Sequence, residues 1–153
     1  MDKHNLKRFK DSQSNVIDQV FQELIEGRKE SHWMWYVFPQ NDGHGSSPNS
    51  KLYSIKSVSE TKAYLNDEIL GERLRECCSL LLKIKDENIK DIKDILGRID
   101  AWKLKSSMTL FYQVSKEQIF KDVLEKYYSF KQCKGTIRWL NDEKTNYGLI
   151  KNY

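Results

Sequence analysis

Residues 32–40, HWMWYVFPQ, set Trp33 and Trp35 on either side of a single methionine and run directly into 41–50, NDGHGSSPNS. How this stretch is read decides the fold. The helical period breaks here: an extended chain would be apolar on both faces, and Pro39 pushes Phe38 out of helical geometry. A buried extended segment follows, with Trp33, Trp35, Val37 and Phe38 serving either as core or as the wall of a pocket. The glycine, serine, asparagine and proline cluster after it reads as an exposed loop.

On both sides of this block the pattern is helical. Val16, Ile17, Val20, Phe21, Leu24 and Ile25 recur at three- and four-residue steps between Ser14 and Glu26, and Gly27 supplies a stop. Downstream, Ser57 and Glu60 have capping-box spacing at the head of SVSETKAYLN, 57–66. Asn66 is a candidate cap for NDEILGERLRECCSLLLKIK, 66–85, where Leu70, Leu74, Cys77, Cys78, Leu81 and Leu82 form an apolar stripe. DENIKDIKDILG, 86–97, suggests a short helix ending at Gly97. Asp100 can start another in DAWKLKSSMTLFYQV, 100–114, and Ser115 and Gln118 repeat the capping pattern before 116–130. The tail GTIRWLND, 135–142, is expected to add one short turn. The fold class expected is mainly α: a compact single domain over 1–153, with about six helices, one extended aromatic segment and room for a small strand pair.

Bulk properties agree with one domain. A chain of 153 residues can bury a core without disulfides or metal. Its 26 basic and 22 acidic residues give a net charge of +4, which permits an anionic partner without demanding one. The three cysteines show no Cys-x-x-Cys spacing and read as reduced, structural thiols. No apolar run reaches membrane-spanning length, and residues 1–15 lack the apolar core of a secretory signal, so a cytoplasmic protein without a membrane partner is expected.

Aromatic rings beside hydroxyl-rich backbone are what a nucleotide pocket needs: a base stacks on a ring face while sugar and phosphate take hydrogen bonds. The stretch 32–47 meets that description in outline, although Gly43-x-Gly45 lacks the third glycine of a phosphate loop and no Gly-Lys-Ser/Thr follows. A second cluster is 100–111, DAWKLKSSMTLF, where Asp100, Lys103 and Ser107 fall on neighbouring turns of one helix. It could hold an anion at a helix N-terminus or let Asp100 act as a general base, and simple capping by Asp100 explains the same residues equally well.

His4, His32 and His44 are too far apart for a local metal site and lack cysteine or carboxylate partners at ligand spacing, so no metal and no cofactor is expected. A triad of Ser46, His44 and Asp100 has no nucleophile-elbow sequence behind it. The lysines between Lys83 and Lys93 are interleaved with acids and read as solvated helix faces, which argues against nucleic acid.

SHWMWYVFPQ, GHGSSPNSKLYSI, AYLNDEILGERLRE and DAWKLKSSMTLF, in that order, resemble the family known as domain of unknown function 1810 from about Leu6 to about Leu140. That resemblance implies a compact, mainly helical domain and names no activity. The loop reads QNDGHGSS where the family tends toward a more apolar pattern, so His44 and Asp42 are not carried by it. In helix order the chain is also similar, more loosely, to the NADAR superfamily. That similarity implies a pocket for ADP-ribose-type N-glycosides and an acid that stabilises an oxocarbenium-like sugar. Neither Glu30 nor Asp100 matches that acid clearly.

These readings converge on a nucleotide-like small-molecule ligand, NAD-derived or of ADP-ribose type, held by a non-catalytic receptor or sponge. Trp33, Trp35 and Tyr53 would stack; His32, Gln40, Ser46, Ser106 and Ser107 would hydrogen-bond; Lys103 or Lys105 would neutralise phosphate. An N-glycosidase or ADP-ribosyl hydrolase using Asp100 is the enzymatic alternative. A single-stranded nucleic-acid or protein interaction module is the third, and assembly into a homo-oligomer stays open.

Overall fold

The computed structural model describes residues 1–85, 87 and 91–147. Among them are ten helices: α1 (Lys7–Ser14), α2 (Ile17–Glu26), α3 (Met34–Val37), α4 (Pro48–Tyr53), α5 (Val58–Asn66), α6 (Glu68–Lys83), α7 (Ile92–Leu96), α8 (Arg98–Ser115), α9 (Gln118–Tyr128) and α10 (Lys134–Tyr147). The mainly helical class stands, with more and shorter helices than the six expected. The expected strand pair reduces to one parallel bridge between Asn41 and Ile55.

The largest departure lies in residues 32–40. Residues 34–37 form a helical turn rather than an extended segment, and the chain leaves it at Phe38, φ −123° and ψ 71°, as the restriction before proline demands. Trp33, Met34, Val37 and Phe38 are buried while Trp35 and Tyr36 are half-buried, which is helical spacing. The period was hidden because the outward-facing pair is aromatic too.

Other boundaries move for local reasons. Asp67, not Asn66, caps α6 by accepting from the amides of Ile69 and Leu70, both at 3.0 Å. Ser57 caps α5 as expected, accepting from the Glu60 amide at 3.0 Å. α8 starts two residues before Asp100, because Gly97 takes φ 85° and ψ 164°, a conformation open to glycine and hardly to any side chain. Asp100 therefore sits inside the first turn. The expected short turn at 135–142 belongs to the longer α10. Of the helix expected over 86–97, Ile92–Leu96 forms behind a capping box between Asp91 and Asp94, and residues 86 and 88–90 lie outside the described ones. α1 is unanticipated; it buries only Phe9 and Gln13, too few positions for a legible stripe.

α8 is the central element and packs against α5, α7, α9 and α10, while α6 packs against α2, α5 and α9. Leu104, Met108 and Phe111 from α8 meet Leu74, Cys78 and Leu81 from α6 and Phe120, Val123 and Leu124 from α9 in one core. All three cysteines are free and buried, and burial pushes the Cys77 and Cys78 thiols far up, which leaves them unreactive. No described helix is long and apolar enough to cross a membrane. The amino-terminal turns of α8 emerge from this core beside the 40–54 segment, and the site lies there.

Candidate functional site

The segment before α4 is held at several points. Ile55 donates its amide to Gln40 O at 2.8 Å and accepts from the Asp42 amide at 2.9 Å, so the bridge fixes both ends of the loop's first turn. Ser47 caps α4 through the Ser50 amide, with Pro48 in the first helical position. Gly45 approaches Ser50 so closely that a Cβ there would lie 2.6 Å from its Oγ, which requires glycine or a shifted loop.

His44 secures the loop to α10. Asn41 donates its Nδ2 to Asp42 O at 3.0 Å, which turns Asn41 Oδ1 inward to accept from Thr136 Oγ1 at 2.7 Å. His44 Nε2 lies 3.0 Å from both Asn41 Oδ1 and Thr136 Oγ1. Since Oδ1 only accepts and the Thr136 proton is already committed, Nε2 must carry the imidazole proton. Burial lowers the His44 pKa from its ordinary value, which favours the neutral ring.

Opposite this loop, the exposed residues Arg98, Ile99 and Trp102 line the first turns of α8, with Lys103 half-buried beside them. A crevice of about 320 Å³ separates the two walls, lined by Gln40, His44, Ser50, Arg98, Ile99, Trp102 and Lys103. A smaller recess continues from Gln40, His44 and Ser50 toward Trp35 and Tyr53. The Trp102 indole meets the His44 ring edge-on, centroids 5.6 Å apart. Lys103 Nζ lies 4.3 Å from the Trp35 ring centroid and 3.5 Å from Asp100, so that cation is already partly satisfied.

The expected residues divide accordingly. Trp35, Gln40, Tyr53 and Lys103 line the crevice or its recess. Ser106 is buried behind the wall, where its hydroxyl accepts from Gln40 Nε2 at 2.6 Å. Ser107 is sealed, its Oγ without a hydrogen-bond partner among the described residues. His32 and Ser46 are exposed, Lys105 is half-buried, and none of the three is in the lining.

Trp33 belongs to the core, at 1% exposure, and donates its indole N–H to Glu23 at 3.0 Å. Asp100 pairs with Lys29 at 2.8 Å as well as with Lys103. Among the described residues no hydrogen bond joins His44 to Ser46 or Asp100, so the three form no triad. Sequence reasoning missed Asn41, Arg98, Trp102 and Thr136. A tryptophan set among the charged residues of RIDAWKLK, 98–105, was the readable signal for the α8 wall, and it is 54% exposed in the structure.

Comparison with known proteins places the chain. The model of the family described as protein of unknown function DUF1810 matches residues 3–140. The chain belongs to the DUF1810 family. A solved structure, that of the conserved hypothetical protein Rv1873 from Mycobacterium tuberculosis, is similar with a TM-score of 0.85 and 42% sequence identity. The match covers 89% of this chain and 96% of that one. No curated protein matches the sequence. The matched DUF1810 region contains both walls of the crevice and the Thr136 anchor.

Proposed function

We propose that this DUF1810 protein binds a nucleotide-like small molecule, NAD-derived or of ADP-ribose type, and holds it without turning it over. The observation that carries the reading is the 320 Å³ crevice with an exposed indole on one bank and polar loop groups on the other. Its size lies at the low end of ligand pockets, which run from about 300 to 1,000 Å³, so a mononucleotide portion fits and the rest of a larger ligand would extend outside. Trp102 offers a stacking face. Arg98, one helical turn before it, has no ion-pair partner among the described residues and would meet phosphate. The sequence alone points to Trp33, Trp35 and Tyr53 for stacking and to Lys103 or Lys105 for phosphate; the geometry favours Trp102 and Arg98, with Trp35 and Tyr53 in the adjoining recess and Lys103 in the lining.

Binding is favoured over N-glycoside hydrolysis because the lining residues include no carboxylate to face an oxocarbenium-like sugar. Asp100, the candidate for that role, faces two lysines. The test is incubation with NAD and ADP-ribose, followed by thermal unfolding and chromatography. A rise in Tm with intact ligand recovered is expected, equivalent to about 2.7 kcal/mol at a hundredfold excess over Kd. Released base would make the protein a hydrolase, and no shift at millimolar ligand would remove both readings.

A further inference from the structure

We infer that the crevice selects guests carrying a planar amino group, such as an adenine or cytosine ring, and reads it with two neutral acceptors, His44 Nδ1 and Gln40 Oε1. This rests on the small-molecule reading above and adds which guest fits. The His44 ring carries its proton on Nε2, toward Asn41 and Thr136, so Nδ1 presents a lone pair. Gln40 commits its Nε2 to Ser106, whose own hydroxyl donates to Lys103 O at 3.0 Å, which leaves Oε1 as the free end of the amide.

Neither acceptor has a protein donor among the described residues, and neither is sealed: the buried side-chain oxygen without a partner is Ser107 Oγ. Both therefore reach solvent, from residues that line the same crevice. The remaining polar loop group on this side, Ser50 Oγ, is occupied by Ser47 Oγ at 2.7 Å. A guest that fills the space must satisfy two acceptors, and an amino group conjugated to a ring brings two N–H donors in the plane of the ring. A ring with an oxo group in that place would set lone pairs against lone pairs. The T-shaped contact of His44 with Trp102 sets the histidine ring beside the indole, on the side where the edge of a stacked base would lie.

The experiment is isothermal titration of the full chain with adenosine monophosphate, purine riboside monophosphate, which lacks the amino group, and dideoxyadenosine monophosphate. Adenosine monophosphate is expected to bind about tenfold or more tightly than purine riboside monophosphate, since the analogue leaves two acceptors desolvated and unpaired. Gln40→Leu, shown folded by its melting curve, is expected to erase much of that difference, because it weakens adenosine monophosphate and relieves the analogue of one unpaired acceptor. Equal affinity of the first two ligands in the unsubstituted protein would overturn the inference and leave the binding reading standing. Discrimination only against the dideoxy compound would assign the acceptors to ribose and overturn it as well. No binding by any of the three would overturn both readings.

Discussion

Trp33 and Trp102 stand in opposite surroundings. The first is enclosed, its N–H held by Glu23, its ring 5.1 Å from Lys29 Nζ and tilted against Phe38. The second is more than half exposed and touches a histidine edge across an open crevice. Glu23 makes the difference. Its carboxylate accepts from the amides of Glu30 and Ser31, the Ser31 hydroxyl and the Trp33 indole, and so ties the whole 30–33 segment onto α2. Among the described residues no carboxylate is hydrogen-bonded to Trp102, and the His44 ring leaves more than half of its surface open. An aromatic side chain reads as structural when its polar atom is claimed by the fold and as a recognition surface when it is not.

The largest effect separating the two should come from Trp33→Ala. Removing a fully enclosed indole leaves a cavity and a buried carboxylate short of a donor, and a loss of about 3–5 kcal/mol is expected by denaturant unfolding. Trp102→Ala should change stability by less than about 0.5 kcal/mol, the usual range for surface positions. A comparable loss in both variants would mean that Trp102 is part of the fold, and the contrast would collapse.

Next in size is the acid response of the Glu23 clamp. Burial alone would push the carboxyl up, but the hydrogen bonds from Ser31, Glu30 and Trp33 outweigh it and hold the pKa down, to about 2. A carboxylate depressed in the folded state contributes stability that is present above its ordinary value of 4.5 and is lost as pH falls toward 2. The contribution at neutral pH is about 3 kcal/mol. Glu23→Gln should be less stable at pH 7 and should lose less on going to pH 3 than the unsubstituted protein. Parallel pH profiles for the two would show that Glu23 is not the group responsible.

How much of this was legible in the sequence follows the same contrast. Helices with an alternating apolar and charged surface, such as α2 and α6, announced themselves through spacing. The turn at 34–37 did not, because Trp35 and Tyr36 on its outer face are as apolar as Met34 and Val37 on its inner one. The identity of the family was carried by the residue order of the blocks themselves. The loop wall was legible through Gln40 and the glycine- and serine-rich composition. On the α8 wall only Lys103 was legible, because the hydroxyls of Ser106 and Ser107 turn inward and Asp100 pairs with two lysines. The burial of Trp33 goes with Glu23, ten residues before it, and the loop wall is anchored by Thr136 reaching Asn41 from 95 positions away. Pairings at such separations leave no local periodicity to read.

On the crevice side the larger binding effect belongs to Trp102→Ala. Base stacking on an aromatic ring is worth about 1–3 kcal/mol by alanine substitution, so affinity for adenosine monophosphate should fall about tenfold or more. Unchanged affinity in a folded Trp102→Ala protein would remove the α8 wall from the site.

The smallest effect, and the one that most sharpens the distinction between the two walls, is expected from Arg98→Ala. Lys103 is held between the Trp35 ring and Asp100, so it shapes the crevice and neutralises little of a guest's charge. Arg98 is exposed and unpaired by any described residue, so its attraction for phosphate is screened by water and salt. Its removal should weaken adenosine monophosphate about three- to fivefold at low ionic strength, with the difference shrinking as salt is raised, because an exposed charge pair is worth about 1 kcal/mol at most. Adenosine, which lacks the phosphate, should bind the Arg98→Ala and unsubstituted proteins alike. An equal loss for adenosine would show that Arg98 acts by holding the first turn of α8 in place, and the phosphate would then have to be assigned to Lys103.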